Sequence, residues 1–275
     1  MDIRVVFSEE PGFILSEARE FLFSQPVLHN LILSILHARV AHSEPGRYWM
    51  ARLGDKTVGV AVQSPLWFAA TLTPMGQDAV TAIVAAMAEA RVCVPGINGE
   101  AATAACFAGQ WSERCKSGAR PFEGNRIYEL VEGGEVPDAS GGFRQAGPVD
   151  RDLMILWMRA FSAEIGEVDE DTELRVDRDL AGGHLWLWED GREATSMAAS
   201  REPVAGVVRV SGVYTPPALR KRGYAAACVS ALSNRLRGAG YRCILYTDLG
   251  NATSNSIYQR IGYRAVAEAL RYRFE

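Results

Sequence analysis

Residues 213–232 read VYTPPALRKRGYAAACVSAL. Three consecutive cations, Arg220, Lys221 and Arg222, and then Gly223 stand between a β-branched run and an alanine-rich amphipathic segment. A strand that stops, a tight loop and a helix whose first amides lack partners together make an anion site. The helix dipole adds about half a positive charge at that end. Gly223 lets the backbone approach a ligand that a Cβ would exclude, and arginine can grip phosphate with two parallel hydrogen bonds. The ligand this describes is a pyrophosphate. Neither G-x-x-x-x-G-K-[ST] nor G-x-G-x-x-G is present, so the loop is not that of a P-loop NTPase or a dinucleotide-binding fold.

The neighbouring segments alternate element types. LMILWMRAFSAEI (153–165) has apolar residues at helical spacing. HLWLWED (184–190) predicts a strand ending at the turn Asp190-Gly191, with REATSMAAS (192–200) as its partner. VAGVVRVSGVYT (204–215) is a long β-branched strand. From Gly223, the residues Ala225, Val229, Leu232 and Leu236 put one apolar face on a helix that stops at Gly238-Ala239-Gly240. YRCILYTD (241–248) follows as a nearly continuous apolar strand, then a short helix over SNSIYQRIG (254–262) and a last strand, ALRYRF (269–274). Strand, helix, strand without a hairpin signal between them implies a parallel pair within a mixed sheet.

The first half repeats this order faintly. YWMARLGDKTVGVAVQS (48–64) predicts a hairpin through Gly54-Asp55. LWFAATL (66–72), a helix over about 78–90, VCVPG (92–96), a helix near 101–117 and RIYELVE (126–132) follow. After LWFAATLTP comes MGQDAV, with no cationic glycine loop. EGGEVPDASGG (132–142) predicts a linker, which divides the chain into domains 1–137 and 138–275. Residues 1–137 hold 11 basic and 15 acidic side chains against 18 of each in 138–275, so the net acidity belongs to the first half.

At 275 residues, two domains are the expectation. With 48% apolar and 23% charged residues the chain is globular with a real core, and a net charge of −4 argues against a nucleic-acid or polybasic membrane surface. No secretory leader or membrane-spanning run is read, so the cytoplasm is the expected location. The five cysteines are scattered and never spaced C-x-x-C, and the histidines lack H-E-x-x-H spacing, so neither a disulfide frame nor a metal site is expected.

Arg220 to Ala225, RKRGYA, resembles the [R/Q]-x-x-G-x-[G/A] pyrophosphate loop of the GNAT superfamily of acyl-CoA N-acyltransferases. VYTPP ahead of it is similar to the coenzyme-binding end of the central GNAT strand. NATSNSIYQRIGY (251–263) behind it resembles the family's N-x-x-[AS]-x-x-[LI]-Y-x-x-x-G-[FY]. Over 185–274 the resemblance rests on motifs; across the first half it rests on element order, and implies a tandem protein whose first domain lacks a coenzyme loop. The implied fold is α/β (α+β): two GNAT-like domains, each a mixed, mostly antiparallel sheet with a central parallel pair flanked by helices.

The same resemblance implies acetyl-CoA as co-substrate, no metal, and a small-molecule or peptide amine as acceptor, with neither nucleic acid nor membrane as partner. Backbone groups of Val213, Tyr214 and Thr215 would pair with the pantetheine arm. Arg220, Lys221, Arg222, Gly223, Tyr224 and Ala225 would hold the pyrophosphate, chiefly through amides. Asn251 and Asn255 would lie near the pantetheine, and Tyr258 would protonate the leaving thiolate; Asn251 could equally start a helix. Trp157, Trp186, Trp188 and Phe161 read as core. The family's usual base position on the central strand holds Arg209, which cannot accept a proton. Glu193, Asp248 and Glu275 are the substitutes, and an acceptor of low pKa would need none. The missing carboxylate leaves open a coenzyme-binding regulatory module without turnover. Eight acids among residues 164–179 are either a solvated face or a rim that attracts a cationic amine.

Overall fold

In a computed structural model the chain is described over residues 2–131, 138–166 and 171–275. Its elements run β1 (Ile3–Ser8), α1 (Pro11–Glu17), α2 (Arg19–Ser24), α3 (Asn30–Ala41), β2 (Arg47–Leu53), β3 (Lys56–Gln63), β4 (Ala70–Leu72), α4 (Gln77–Glu89), β5 (Gly96–Glu100), α5 (Ala101–Cys115) and β6 (Ala119–Leu130). They continue with β7 (Gly142–Gln145), α6 (Arg151–Glu164), α7 (Thr172–Ala181), β8 (Leu185–Asp190), β9 (Glu193–Ser200), β10 (Val207–Tyr214), α8 (Tyr224–Gly238), β11 (Arg242–Asp248), α9 (Ala252–Arg260) and β12 (Tyr263–Phe274).

The residues cluster into two compact units: 1–127 with 247–250 and 265–275, and 128–246 with 251–264. The last strand therefore does not stay with the half that contains it in sequence. Ala269 to Arg273 of β12 pair antiparallel with Glu100 to Gly96 of β5, completing the first unit's strand order β1-β2-β3-β4-β5-β12. Conversely Tyr128 to Leu130, the end of β6, count with the second unit, whose order is β6-β11-β10-β9-β8-β7. The expected 137/138 boundary falls at the edge of 132–137, outside the described residues. The rest of the expected linker is docked. Trp188 Nε1 donates to the Ser140 carbonyl (2.8 Å), and Gly142 opens β7.

Each unit has the mixed sheet the sequence predicts: β4/β5 in the first and β10/β11 in the second are parallel, while β1/β2, β2/β3, β3/β4 and β5/β12, and β7/β8, β8/β9 and β9/β10, are antiparallel. In the second unit both faces are covered, which explains the unbroken apolar run on β8. Leu185 and Leu187 pack with Met154, Met158 and Val176 of α6 and α7; Trp186 and Trp188 pack with α8 on the other face. Ala226, Ala227 and Val229 bury the inner face of α8, small side chains that let the helix sit close to the sheet. In the first unit α4 and α5 bury Val80, Ile83, Met87, Phe107 and Trp111 against β2, β4 and β5.

Two expected strands differ. Only Ala70–Leu72 of LWFAATL is a strand, because Trp67 and Phe68 lie exposed in a turn whose Phe68 amide donates to the Pro65 carbonyl. VCVPG precedes its strand rather than forming it. β5 starts at Gly96, after a proline that cannot donate to a ladder.

Candidate active site

The parallel pair of the second unit is short. Val207 to Val210 stand in register with Arg242 to Leu245, and the pairing goes no further although β10 runs on to Tyr214. On the other edge of β10, Ser211 faces Ala199 of β9 and Tyr214 faces Met197, so Gly212 and Val213 together answer one residue. This is a β-bulge, and Gly212 adopts φ +57 to make it. A Cβ there would stand 3.2 Å from Met158 Cε. The bulge falls just past Val210–Leu245, where the ladder to β11 stops and leaves a gap in the pairing of the two strands.

Nine residues, 215–223, lead from the open end of β10 to α8. Arg220 folds back on them: its Nε donates to the Thr215 carbonyl (2.8 Å), Nη2 to Glu164 Oε1 (2.5 Å), and its guanidinium lies 5.8 Å over the Tyr214 ring. The Thr215 hydroxyl donates to Ser196 Oγ (2.9 Å), which donates to the Tyr214 carbonyl (3.1 Å). Lys221 and Gly223 both take left-handed backbone, φ +64 and +85. A run of amides turned in this way forms a concave anion cradle. No side chain caps α8 and no acid stands in its first turn; its first internal bond runs from the Ala227 amide to the Gly223 carbonyl. The amides of Tyr224, Ala225 and Ala226 thus have no acceptor inside the helix. Lys221 and Arg222 are exposed beside them. Tyr224 is buried and its hydroxyl donates to Asp190 Oδ2 (2.6 Å), which also accepts from Ser140 Oγ (2.6 Å). These two bonds, and then the charge of Arg222, hold the Asp190 carboxyl below its ordinary range.

Tyr258 stands on α9 among Tyr128 and Tyr263, ring centroids 6.5 and 6.2 Å away. Burial pushes its phenol up to about 12, and among the described residues its hydroxyl has no hydrogen-bond partner. Asn251 caps α9, its Oδ1 accepting from the Ser254 amide (2.9 Å). Asn255 is buried, donating to the Asn251 carbonyl (2.8 Å) and accepting from the Tyr128 hydroxyl (2.9 Å). Both asparagine side chains therefore hold α9 in place.

An FR47-like protein family model matches residues 190–272, the span from the β8–β9 turn through β12. No curated protein sequence matches the chain. A GCN5-related N-acetyltransferase from Sphaerobacter thermophilus shares the fold with a TM-score of 0.67 at 13% identity, over 98% of this chain and 95% of that one. A GNAT-family acetyltransferase from Colwellia psychrerythraea superposes over 100% of both chains, TM-score 0.63 at 11% identity. A tandem GNAT protein from the clavulanic acid biosynthesis pathway covers 98% of each, TM-score 0.56 at 10% identity. Over nearly its whole length the chain therefore shares the fold of these acetyltransferase structures, a tandem GNAT protein among them.

The sequence-predicted residues do not all gather at the gap. Val213, Tyr214, Thr215 and the loop 220–225 gather at its open end. Arg220 is committed to the loop itself. Of the substitutes for a base, Glu193 sits on the β8–β9 turn past the loop end of β10, in register with Asp190, while Asp248 and Glu275 count with the first unit. Trp157, Trp186 and Trp188 are buried in the core and Phe161 packs against it. The acidic rim is not free charge. Glu164 pairs with Arg220, Glu173 with Arg159 (2.7 Å), Asp177 with Arg151 (2.6 Å) and buried Asp179 with Arg201 (3.2 Å), and Asp171 has partners as well. The stretch's Glu167, Asp169 and Glu170 lie outside the described residues. Gly212 is the site residue that motif spacing does not mark; a glycine inside a β-branched run is the one signal of its bulge.

Proposed function

We propose that the second unit is an acyl-CoA-dependent N-acyltransferase using acetyl-CoA, and that the first unit has the same fold with its coenzyme site lost. The observation that carries this is the open end of β10: two left-handed residues, uncapped amides and exposed cations at the mouth of a gap between parallel strands. Three amides and the dipole of α8 suit a pyrophosphate, with Lys221 and Arg222 as mobile counter-charges. The edge of β10 that β11 leaves unpaired suits an amide-bearing arm laid along it as an added strand.

Bound acetyl-CoA supplies a thioester for the acceptor amine to attack. The chain's part is to align and polarise. A β10 amide freed by the bulge donates to the developing oxyanion, and Tyr258 donates its phenolic proton to the departing sulfur. The nitrogen gains the acyl group and loses a proton, and the thiol leaves with one. A phenol raised to about 12 stays protonated at every working pH. Calorimetry should find acetyl-CoA binding to the intact chain, and free thiol should appear only when an amine is supplied. A chain that does not bind acetyl-CoA at millimolar concentration sinks this reading.

A further inference from the structure

Arg209 registers with Ile244 of β11, one residue before the pair Val210–Leu245 at which the two strands part. Side chains alternate along β10. Val210, with Cys243 and Leu245 of β11, packs toward α8. Ser211 registers with Ala199, which packs with α6 and α7, so Arg209 and Ser211 face those helices at the closed end of the gap. Tyr246 of β11 shares that face. The Arg209 guanidinium lies 5.3 Å over its ring.

Two guanidiniums pair with one carboxylate beside Arg209. Asp179 Oδ2 takes Arg201 at 3.2 Å and Oδ1 takes Arg178 at 3.6 Å, and the Arg201 amide donates to the Arg209 carbonyl (2.9 Å). Arg175 also stands within electrostatic reach of Arg201 but has partners of its own. Glu202 is occupied by His184 (2.7 Å). Among the described residues no carboxylate pairs with Arg209. Two residues along the same face, the Ser211 hydroxyl is buried without a hydrogen-bond partner. Burial, and then the like charges of Arg209, Arg175 and Arg178, lower the Arg201 pKa despite its pairing with Asp179. An uncompensated guanidinium and an unsatisfied hydroxyl side by side, about 7 Å apart along the strand, call for an oxyanion.

We propose that this cluster binds an acidic group on the acceptor, a carboxylate or a phosphate carried by the amine itself, with Arg209 as the residue that selects it. The proposal rests on the acyltransferase reading. It also accounts for a base position held by an arginine. Positive neighbours disfavour an ammonium and lower its pKa, so an amine held beside them sheds its proton to water at lower pH and needs no carboxylate base. The acceptor's acid anchors it, and the field around the anchor supplies the nucleophile.

The test pairs amines with and without the acid, with acetyl-CoA saturating: amino acids against their amides, and aminoethyl phosphate against ethanolamine. At least one acid-bearing amine should exceed its neutral congener by tenfold to about a hundredfold in kcat/KM, as for a charge-assisted hydrogen bond. Which pair shows the preference distinguishes carboxylate from phosphate. Arg209→Gln should abolish the preference by raising KM for the acid-bearing amine, with the acetyl-CoA dissociation constant unchanged as the check on folding. Neutral or cationic amines that match or exceed the acids overturn the proposal. So does a chain that binds acetyl-CoA yet acylates none of the acid-bearing amines. A wild-type chain that fails to bind acetyl-CoA removes the acyltransferase reading beneath it, and is distinguished by that failure.

Discussion

Four residues, 73–76, join β4 to α4 in the first unit, and nine, 215–223, join β10 to α8 in the second. The parallel pairs they follow are alike, but what fills their open ends is not. In the first unit the Met75 amide and carbonyl are both bonded to the Thr103 hydroxyl (3.2 and 3.5 Å), and the Met75 side chain lies so close over Gly59 that a Cβ there would stand 2.7 Å from its sulfur. Leu72 leans on Gly99, whose Cβ would come within 3.2 Å of it. Gly76 starts α4 from ordinary extended backbone, and Asp78 puts a negative charge in the first turn. That acid offsets a dipole which no side chain of the first turn offsets in α8. The helices after the second strands differ in the same sense. Tyr258 is the seventh residue of α9, and the seventh of α5 is Phe107, stacked on Trp111 and Phe274. The first unit packs Met75 and Leu72 over neighbouring strand glycines and has a phenylalanine at this helix position; the second has Tyr258 there.

The largest test of this contrast makes the second unit resemble the first. Tyr258→Phe removes only a hydroxyl with no partner among the described residues, so stability should barely change and acetyl-CoA affinity should hold. General acid catalysis typically contributes a hundredfold or more, so kcat should fall by at least about a hundredfold. With the phenol at about 12, the wild-type rate should show no alkaline loss from this group below about pH 11. A variant that turns over normally makes Tyr258 the core residue that Phe107 is.

Next in size is a matched pair of glycine substitutions. Gly223→Val puts a branched side chain at φ +85, which costs about 1–3 kcal/mol of stability and disturbs the left-handed turn of the loop, with its Cβ 3.6 Å from that of Ala139. The acetyl-CoA dissociation constant should rise at least tenfold, about 1.4 kcal/mol. Gly76 starts α4 at φ −68 with nothing within 4 Å of its Cβ position. Gly76→Val should leave coenzyme affinity unchanged and cost at most about 1 kcal/mol. Wild-type titration should give one coenzyme per chain. Two sites, or equal effects of the two valines, would erase the distinction between the units.

Much of this contrast is legible in the sequence. RKRGYA announces its loop because a cationic run and a glycine before an amphipathic helix have few other uses, and MGQDAV shows by composition that the first half has no such loop. What is not legible depends on partners distant in sequence. Arg220 looks like a phosphate ligand until Glu164 and the Thr215 carbonyl are found on it. The acidic run looks like a rim until Arg151, Arg159 and Arg201 neutralise it. The placement of β12 in the first unit cannot be read at all, because a strand that mixes apolar and charged residues carries no mark of which edge it will join.

The smallest expected effect tests whether α5 serves only the fold. Glu100 caps it, accepting from the amides of Ala102 (3.1 Å) and Thr103 (3.0 Å) and from the Thr103 hydroxyl (2.9 Å) that also holds Met75. Burial raises its pKa, but the two amides and the hydroxyl outweigh that and hold the carboxyl below its ordinary range. A depressed folded pKa means stability that is present above the unfolded value, about 4.3, and is lost as pH falls through the folded one. Glu100→Ala should therefore cost about 1 kcal/mol at neutral pH, a shift of about 2 °C in Tm for a chain of this size, and the difference from wild type should shrink below about pH 4. Acetyl-CoA affinity should not move, because the amides Glu100 caps belong to the unit without a cationic glycine loop. If affinity falls with stability, the first unit contributes to coenzyme binding and the division of labour drawn from the two loops is wrong.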